Sequence, residues 1–428
     1  MIFLDGVIRK KLYLCKMKRC GLYIFKCAVF IFIFSCSAYG QVSHIYREKC
    51  NIDTNEVRKM YLDINVLSFF KNNEFSGEKV KGYTLPGFRL SPEVSLTLAR
   101  NIRMDIGLSM LRYWGAEAYP CYSYQNIAEW KSEQYHKGLH VSPIMRAQWA
   151  VTPNFNVVLG SLFNRYNHSL CSPMYNNELN YTADPENGVQ LLYDSKYFNA
   201  DMWLNWQNFV FSNDDEQEMF TFGFSSKVNL LVDSSGFNIS IPLQYLAQHR
   251  GGEITALELR QVQTISNYSA GLSFSYLFNR RYLKDVAFSC YYVGYIQNAG
   301  TLYPFGNGFG VYPELRVNVA GFEVNMAYWV SKNFISILGS PHYNNLSLKT
   351  PDMLFDKMDI FTANIDYCYL KSKYYSLGVE LGMVHYFPYT GDRPGFPKIE
   401  RGTATSFTFG VYMNINPRIK VCDIPLVE

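Results

Sequence analysis

The residues of this chain that could do chemistry are seven histidines, His44, His136, His140, His168, His249, His342 and His385, and a few acidic runs. A histidine beside a serine on one strand face could take the hydroxyl's proton and drive attack on an ester. That needs a spacing of two, because side chains alternate faces along a strand. His168-Ser169 are adjacent, so on a strand they would point apart. The chain is therefore expected to carry no catalytic residue and not to be an enzyme. A base on one strand and a hydroxyl on another stays open as the alternative. Asp214-Asp215-Glu216 with Glu218 could hold a divalent ion, but reads as a solvated loop, so no metal or cofactor is expected. No CxxC or Cys/His spacing points to zinc.

The elements that must position any such group are strands. From about residue 60 onward, apolar and polar residues alternate in short runs. In Phe220-Thr221-Phe222-Gly223-Phe224-Ser225-Ser226-Lys227-Val228-Asn229-Leu230, every even position except Ser226 is apolar. Period two marks a strand with one wet and one apolar face. Aromatic residues make up 17% of the 428-residue chain, with 34 Tyr and 31 Phe. That abundance suits a transmembrane barrel, where such rings sit at both membrane interfaces. A net charge of only +4 leaves no electrostatic footprint for nucleic acid.

Residues 1–40 read as a signal peptide. Lys16, Lys18, Arg19 and Lys26 precede a short apolar core, Cys27–Phe34, and Ala38-Tyr39-Gly40 fits a cleavage site. Processing at Cys36, as in a lipoprotein, is the alternative. Residues 41–59 then form a short periplasmic segment, 60–418 the barrel and 419–428 a tail.

Loop lengths give the strand count. Tight connections fall near Arg100-Asn101, Pro153-Asn154, Asp233–Gly236, Arg280–Lys284, Ala320-Gly321 and Lys371–Lys373. Long polar ones alternate with them, provided that 188–209 is split at Asp194-Ser195-Lys196. The count is then about 16, even as a bacterial barrel requires. At Ala320-Gly321 a two-residue turn pairs Asn318 with Glu323 and Arg316 with Asn325. A slip by one would put Glu323 into lipid, so the pattern pins the register.

With the apolar face toward lipid, the lumen receives Asp63, Arg89, Glu93, Arg103, Asp105, Arg146, Asp201, Lys227, Glu314, Arg316, Glu323, Asp366 and Glu380. These are read either as cross-strand ion pairs that stiffen the wall or as the lining of a hydrated path. Both signs occur in similar number, so weak ion selectivity is expected. The segments 116–138 and 168–186 are long enough to fold inward. Of ten cysteines, six follow the signal. Cys50 and Cys422 flank the closing seam and are expected to bridge, as are Cys121 and Cys171 in neighbouring outer loops; Cys290 and Cys368 are expected free. Tyr and Asn in those loops, including Tyr175, Asn176, Asn177 and Tyr181, could stack on sugars or simply order the loop.

Signal, alternation, aromatic content and loop parity together make the chain similar to the outer-membrane β-barrels of Gram-negative bacteria, and in strand count to the general porins. The resemblance covers about 60–420 and is architectural. It implies an all-β, antiparallel transmembrane barrel in the outer membrane, contacting outer-membrane lipid and lipopolysaccharide and delivered by the barrel-assembly machinery. The function expected first is a passive channel for small hydrophilic solutes. A non-conducting, surface-binding or secretion-accessory barrel and a membrane-embedded lipid hydrolase are the alternatives.

Overall fold

The computed structural model describes residues 51–114, 138–163, 167–208, 217–251, 262–278, 280–350, 352–371 and 374–424. Twenty strands run in chain order: β1 (Lys59–Glu74), β2 (Tyr83–Ala99), β3 (Ile102–Tyr113), β4 (His140–Ala150), β5 (Phe155–Ser161), β6 (Asn187–Asp194), β7 (Phe198–Asn208), β8 (Met219–Val232), β9 (Phe237–Arg250), β10 (Gln263–Leu277), β11 (Leu283–Ala299), β12 (Asn307–Val319), β13 (Phe322–Lys332), β14 (Leu354–Phe355), β15 (Lys357–Lys371), β16 (Tyr375–Tyr386), β17 (Tyr389–Asp392), β18 (Ile399–Arg401), β19 (Ala404–Ile415) and β20 (Arg418–Asp423). The main sheet holds 17 of them. Sixteen of these, all but β20, pair antiparallel in succession, and β1 closes the barrel on β19 along Val66–Glu74. β20 lies outside the closed set of 16. It continues the line of β19 past Pro417 and pairs with Lys59–Asp63 of β1, in the stretch expected as a short tail. β14, β17 and β18 form a separate outer flap.

Register follows the period-two pattern. The β12–β13 hairpin pairs Asn318 with Glu323 and Arg316 with Asn325, as expected. Ala320 and Gly321 both adopt positive φ (51° and 88°), the backbone that a two-residue hairpin turn requires. The stretch 188–209 divides into β6 and β7 at 195–197, which restores an even count. Outward residues such as Met145, Trp149, Leu159 and Phe407 are exposed and form the lipid-facing belt.

The lumen departs from the expected polar pore. Its outer half is filled. The described parts of two connections fold into it: 162–163 and 167–186, between β5 and β6, and 333–350 and 352–353, between β13 and β14. Their apolar residues, among them Met174, Leu179, Phe334 and Ile335, pack on inward aromatics of the wall such as Trp203, Tyr295, Tyr312 and Trp329. The two segments also bond to one another. Ser336 Oγ donates to the Pro173 carbonyl (2.6 Å), and Asn176 N–H donates to the Leu338 carbonyl (2.8 Å). The inward fold of 168–186 was expected, whereas that of 333–353 was not; 116–138 lies almost wholly outside the described residues.

Close approach needs glycine on the facing strand. Gly223 on β8 sits directly opposite Trp203 on β7, and a Cβ there would lie 2.1 Å from the indole. Gly223→Ala is expected to cost about 1–3 kcal/mol through overpacking. The check is a lower unfolding temperature of the refolded barrel.

Candidate functional site

The thirteen inward charges divide into two groups. Six brace the wall from β1 to β4. Arg146 bonds Asp105 (3.1 Å) and approaches Glu93 (3.7 Å), and its Nε donates to the Ser161 carbonyl (2.8 Å). Arg103 pairs with Asp105 (2.8 Å) and reaches Ser95 (3.1 Å). Ser95 donates to Asp63 (2.8 Å), which faces Arg418 (3.4 Å). Arg89 donates to the carbonyls of Asn180 (3.1 Å) and Ala183, tying the first plug segment to β2. These are wall ties, the plainer of the two readings. The other seven, Asp201, Lys227, Glu314, Arg316, Glu323, Asp366 and Glu380, line a polar cavity of about 1300 Å³ beneath the plug.

His168 anchors that plug. Its backbone is left-handed, as are those of Asn167 and Ser169 (φ 49–58°), so the segment is no strand and the opposite-face argument for His168 and Ser169 does not apply. The ring stacks on Trp203 at 3.8 Å and 12°. Nε2 contacts Glu186 (2.6 Å) and Nδ1 contacts Asp201 (2.9 Å). Burial opposes a charge here, but the two carboxylates outweigh it and push His168 up to about 10. An imidazolium fixed between two acids is a clamp, not a general base. Against the second segment, Lys79 from the β1–β2 connection is fully buried and donates to the carbonyls of His342 (3.1 Å) and Asn344. Burial and the neighbouring Lys79 push His342 down to about 3, leaving it neutral against the Tyr386 hydroxyl.

Cys171 and Cys422 carry free thiols. Cys171 is buried in the plug rather than set in an outer loop, and Cys422 stands on β20. Their expected partners, Cys121 and Cys50, lie outside the described residues. Tyr175 and Tyr181 are likewise buried within the lumen, in the cluster that fills it, and not set in an outer loop. The acidic run 214–216 lies outside the described residues.

On the lipid face, two histidines meet hydroxyls across strands. His385 on β16 is opposite Thr405 on β19, and Nδ1 lies 2.8 Å from Oγ1. His249 on β9 is opposite Thr264 on β10, with Nδ1 2.9 Å from Oγ1. All four share the outward face: His385 keeps the parity of exposed Leu381, Thr405 of exposed Phe407 and His249 of exposed Leu243. Both pairs sit at the outer ends of their strands. Beside the first, Asp359 on β15 also faces outward, two residues beyond Phe361, the direct partner of His385. One Asp359 oxygen contacts Lys357 (3.2 Å), while the other is buried without a hydrogen-bond partner. Phe387 packs edge-on against His385 (5.1 Å) and Tyr328 against Phe387 (5.8 Å), an interfacial aromatic collar. A recess of about 290 Å³ lined by Asp356, Lys357, Asp359, Asp392 and Lys398 opens alongside.

These pairs were invisible to a search along one strand, since their members are 20 and 15 residues apart. His140-Val141-Ser142 does have the spacing of two and escaped the sequence-based assignment. It lies on β4 on the face of buried Ile144 and Arg146, toward the lumen.

The family described as lipid A 3'-O-deacylase-type matches residues 52–424, almost the whole described chain. The chain belongs to that family. The expectation that it is not an enzyme is thereby corrected, because this deacylase-type family is an enzyme family. No curated protein matches the chain. Among solved structures, it is similar to the outer membrane protein OprD from Pseudomonas aeruginosa (9% identity, 85% of this chain and 94% of that one, TM-score 0.42). It is also similar to OccAB3 from Acinetobacter baumannii (9%, 84% and 99%, 0.45) and to an anion-selective porin from Comamonas acidovorans (10%, 84% and 98%, 0.42). This deacylase-type chain is a closed outer-membrane barrel of 16 antiparallel strands with an apolar outer belt and a filled outer lumen.

Proposed function

We propose that the protein hydrolyses an ester-linked acyl chain of an outer-membrane glycolipid of the lipid A type, at His385 and Thr405. The observation that carries this is the 2.8 Å contact between Nδ1 and Oγ1 on the lipid-facing rim. Acyl chains of an intact lipid lie outside the barrel, so a site on that face meets them without extraction. A hydroxyl donating to a neutral imidazole loses its proton as it attacks. Thr405 Oγ1 forms a bond to the ester carbonyl carbon and the ester C–O bond breaks. His385 passes the proton to the departing alkoxide. Water, deprotonated by His385, then frees the fatty acid and restores Thr405. Asp359, on the neighbouring strand, shares this outward face, and the recess with Lys357 and Lys398 suits a polar headgroup. The test is release of fatty acid from lipid A in mixed micelles by the refolded chain. Folded, inactive protein overturns the proposal.

A second reading, passage of small hydrophilic solutes, draws support from the charged cavity of about 1300 Å³. It requires the plug to move or to leave a path. Planar-bilayer recording is its check: stepwise conductance supports it, and silence from folded protein ends it.

A further inference from the structure

The lumen cavity has a charge arrangement that lipid hydrolysis on the outer face does not use. Glu323 on β13 is directly opposite Asp366 on β15, and Asp366 is directly opposite Glu380 on β16. All three line the cavity. Side chains in direct cross-strand register have Cβ atoms about 5 Å apart, and like charges placed so are destabilising. Glu380 is compensated: Lys71 Nζ lies 3.0 Å from it and 3.4 Å from Glu178. Among the described residues, neither Glu323 nor Asp366 makes an ion pair. Arg316, diagonally across the β12–β13 pair, is opposite Asn325 and makes none with Glu323.

A second observation is independent of this count. Glu323 is only 8% exposed. One of its oxygens accepts from Asn325 Nδ2 (3.1 Å), and the other has no donor at all. Leaving a buried charged oxygen unpaired is costly, and such a pair either shares a proton or is balanced by a cation that displaces it. The described residues contain no group of three metal-ligating side chains in range of one ion. Two adjacent carboxylates instead match a planar guanidinium, whose N–H groups donate in parallel to carboxylate oxygens. The cavity has room for the rest of a small molecule, and Thr362, Asn364 and Thr408 offer it hydrogen bonds.

We infer that the lumen cavity binds a small organic cation of the guanidinium class, with its charged group between Glu323 and Asp366. The site is independent of the lipid-facing pair. Its occupant neutralises the acidic wall, and binding there stabilises the fold by mass action.

Calorimetric titration of agmatine into the full refolded barrel in detergent, at pH 7 and low salt, tests this. One site per chain is expected. Glu323→Gln and Asp366→Asn should each weaken binding at least tenfold, and the double variant should abolish it. Heat-dependent gel mobility reports that each variant is folded. Without agmatine, Asp366→Asn should raise the unfolding temperature, since it relieves the like-charge contact. Absence of binding to the folded wild type, unchanged affinity in both variants, a lower unfolding temperature for unliganded Asp366→Asn, or displacement of agmatine by equimolar calcium would each overturn the inference.

Discussion

Thr405→Val and His385→Gln each lower acyl-ester hydrolysis by about 10²–10⁴-fold, the range expected when a positioned base or its hydroxyl is lost. Valine keeps the shape of threonine and removes only Oγ1, so the loss reports chemistry and not packing. Both positions are on the lipid-facing rim, outside the buried cluster that fills the lumen. The fold should therefore change by less than about 0.5 kcal/mol, as for surface substitutions generally. His249→Gln, at the second cross-strand pair, should leave the rate unchanged, because the reaction is assigned to His385 and Thr405. Fatty acid released from micellar lipid A, at equal amounts of heat-modifiable barrel, is the measure. Loss of activity in His140→Gln or Ser142→Ala with full activity in Thr405→Val would move the chemistry into the lumen.

His168→Ala should have the largest effect on stability. It leaves Glu186 and Asp201 facing each other across a buried gap where an imidazolium stood, and it strips the stacked ring from Trp203. Removing one partner of a buried ion pair costs about 3–5 kcal/mol. The wild-type clamp also dictates a pH response. His168 titrates near 10 in the folded protein and near 6.5 when unfolded. The folded state therefore holds the extra proton, and its contribution is complete below about 6.5. It declines as pH rises and is gone above about 10. The unfolding temperature of the wild type should fall across that window, beyond any slope shared with His168→Gln, in which the clamp term is absent. Matching slopes in the two proteins would remove His168 from the account. Releasing 167–186 from the wall should also raise conductance in bilayers over that of the wild type.

The legible part of this chain was whatever alternates. Ala320-Gly321 named its own turn, and the Asn318–Glu323 pairing followed because lipid cannot accept Glu323. The inward charges were legible for the same reason, since an ion on the lipid face is costly. The filled lumen was not. Trp203, Tyr295, Tyr312 and Trp329 are apolar yet face inward, which blurs the two-residue rhythm toward the outer ends of their strands. The segment 333–353 reads as an outer loop because its apolar residues are interleaved with Ser340, Asn344, Asn345 and Ser347. Those polar groups are satisfied inside: Asn345 bonds Ser331 and the Phe334 N–H, and Asn344 bonds the Ser336 N–H. A buried polar network looks like a solvated loop in one dimension. The His385–Thr405 contact was hidden because it spans a strand pair, and only the barrel's register brings its members together.

The most direct test of the central claim is mass spectrometry of lipid A from outer membranes incubated with the refolded wild type or with Thr405→Val. Loss of one acyl chain's mass with the wild type, and intact lipid A with the variant, is the predicted result. Intact lipid A in both, or the same loss in both, would contradict hydrolysis at the lipid-facing His385–Thr405 pair.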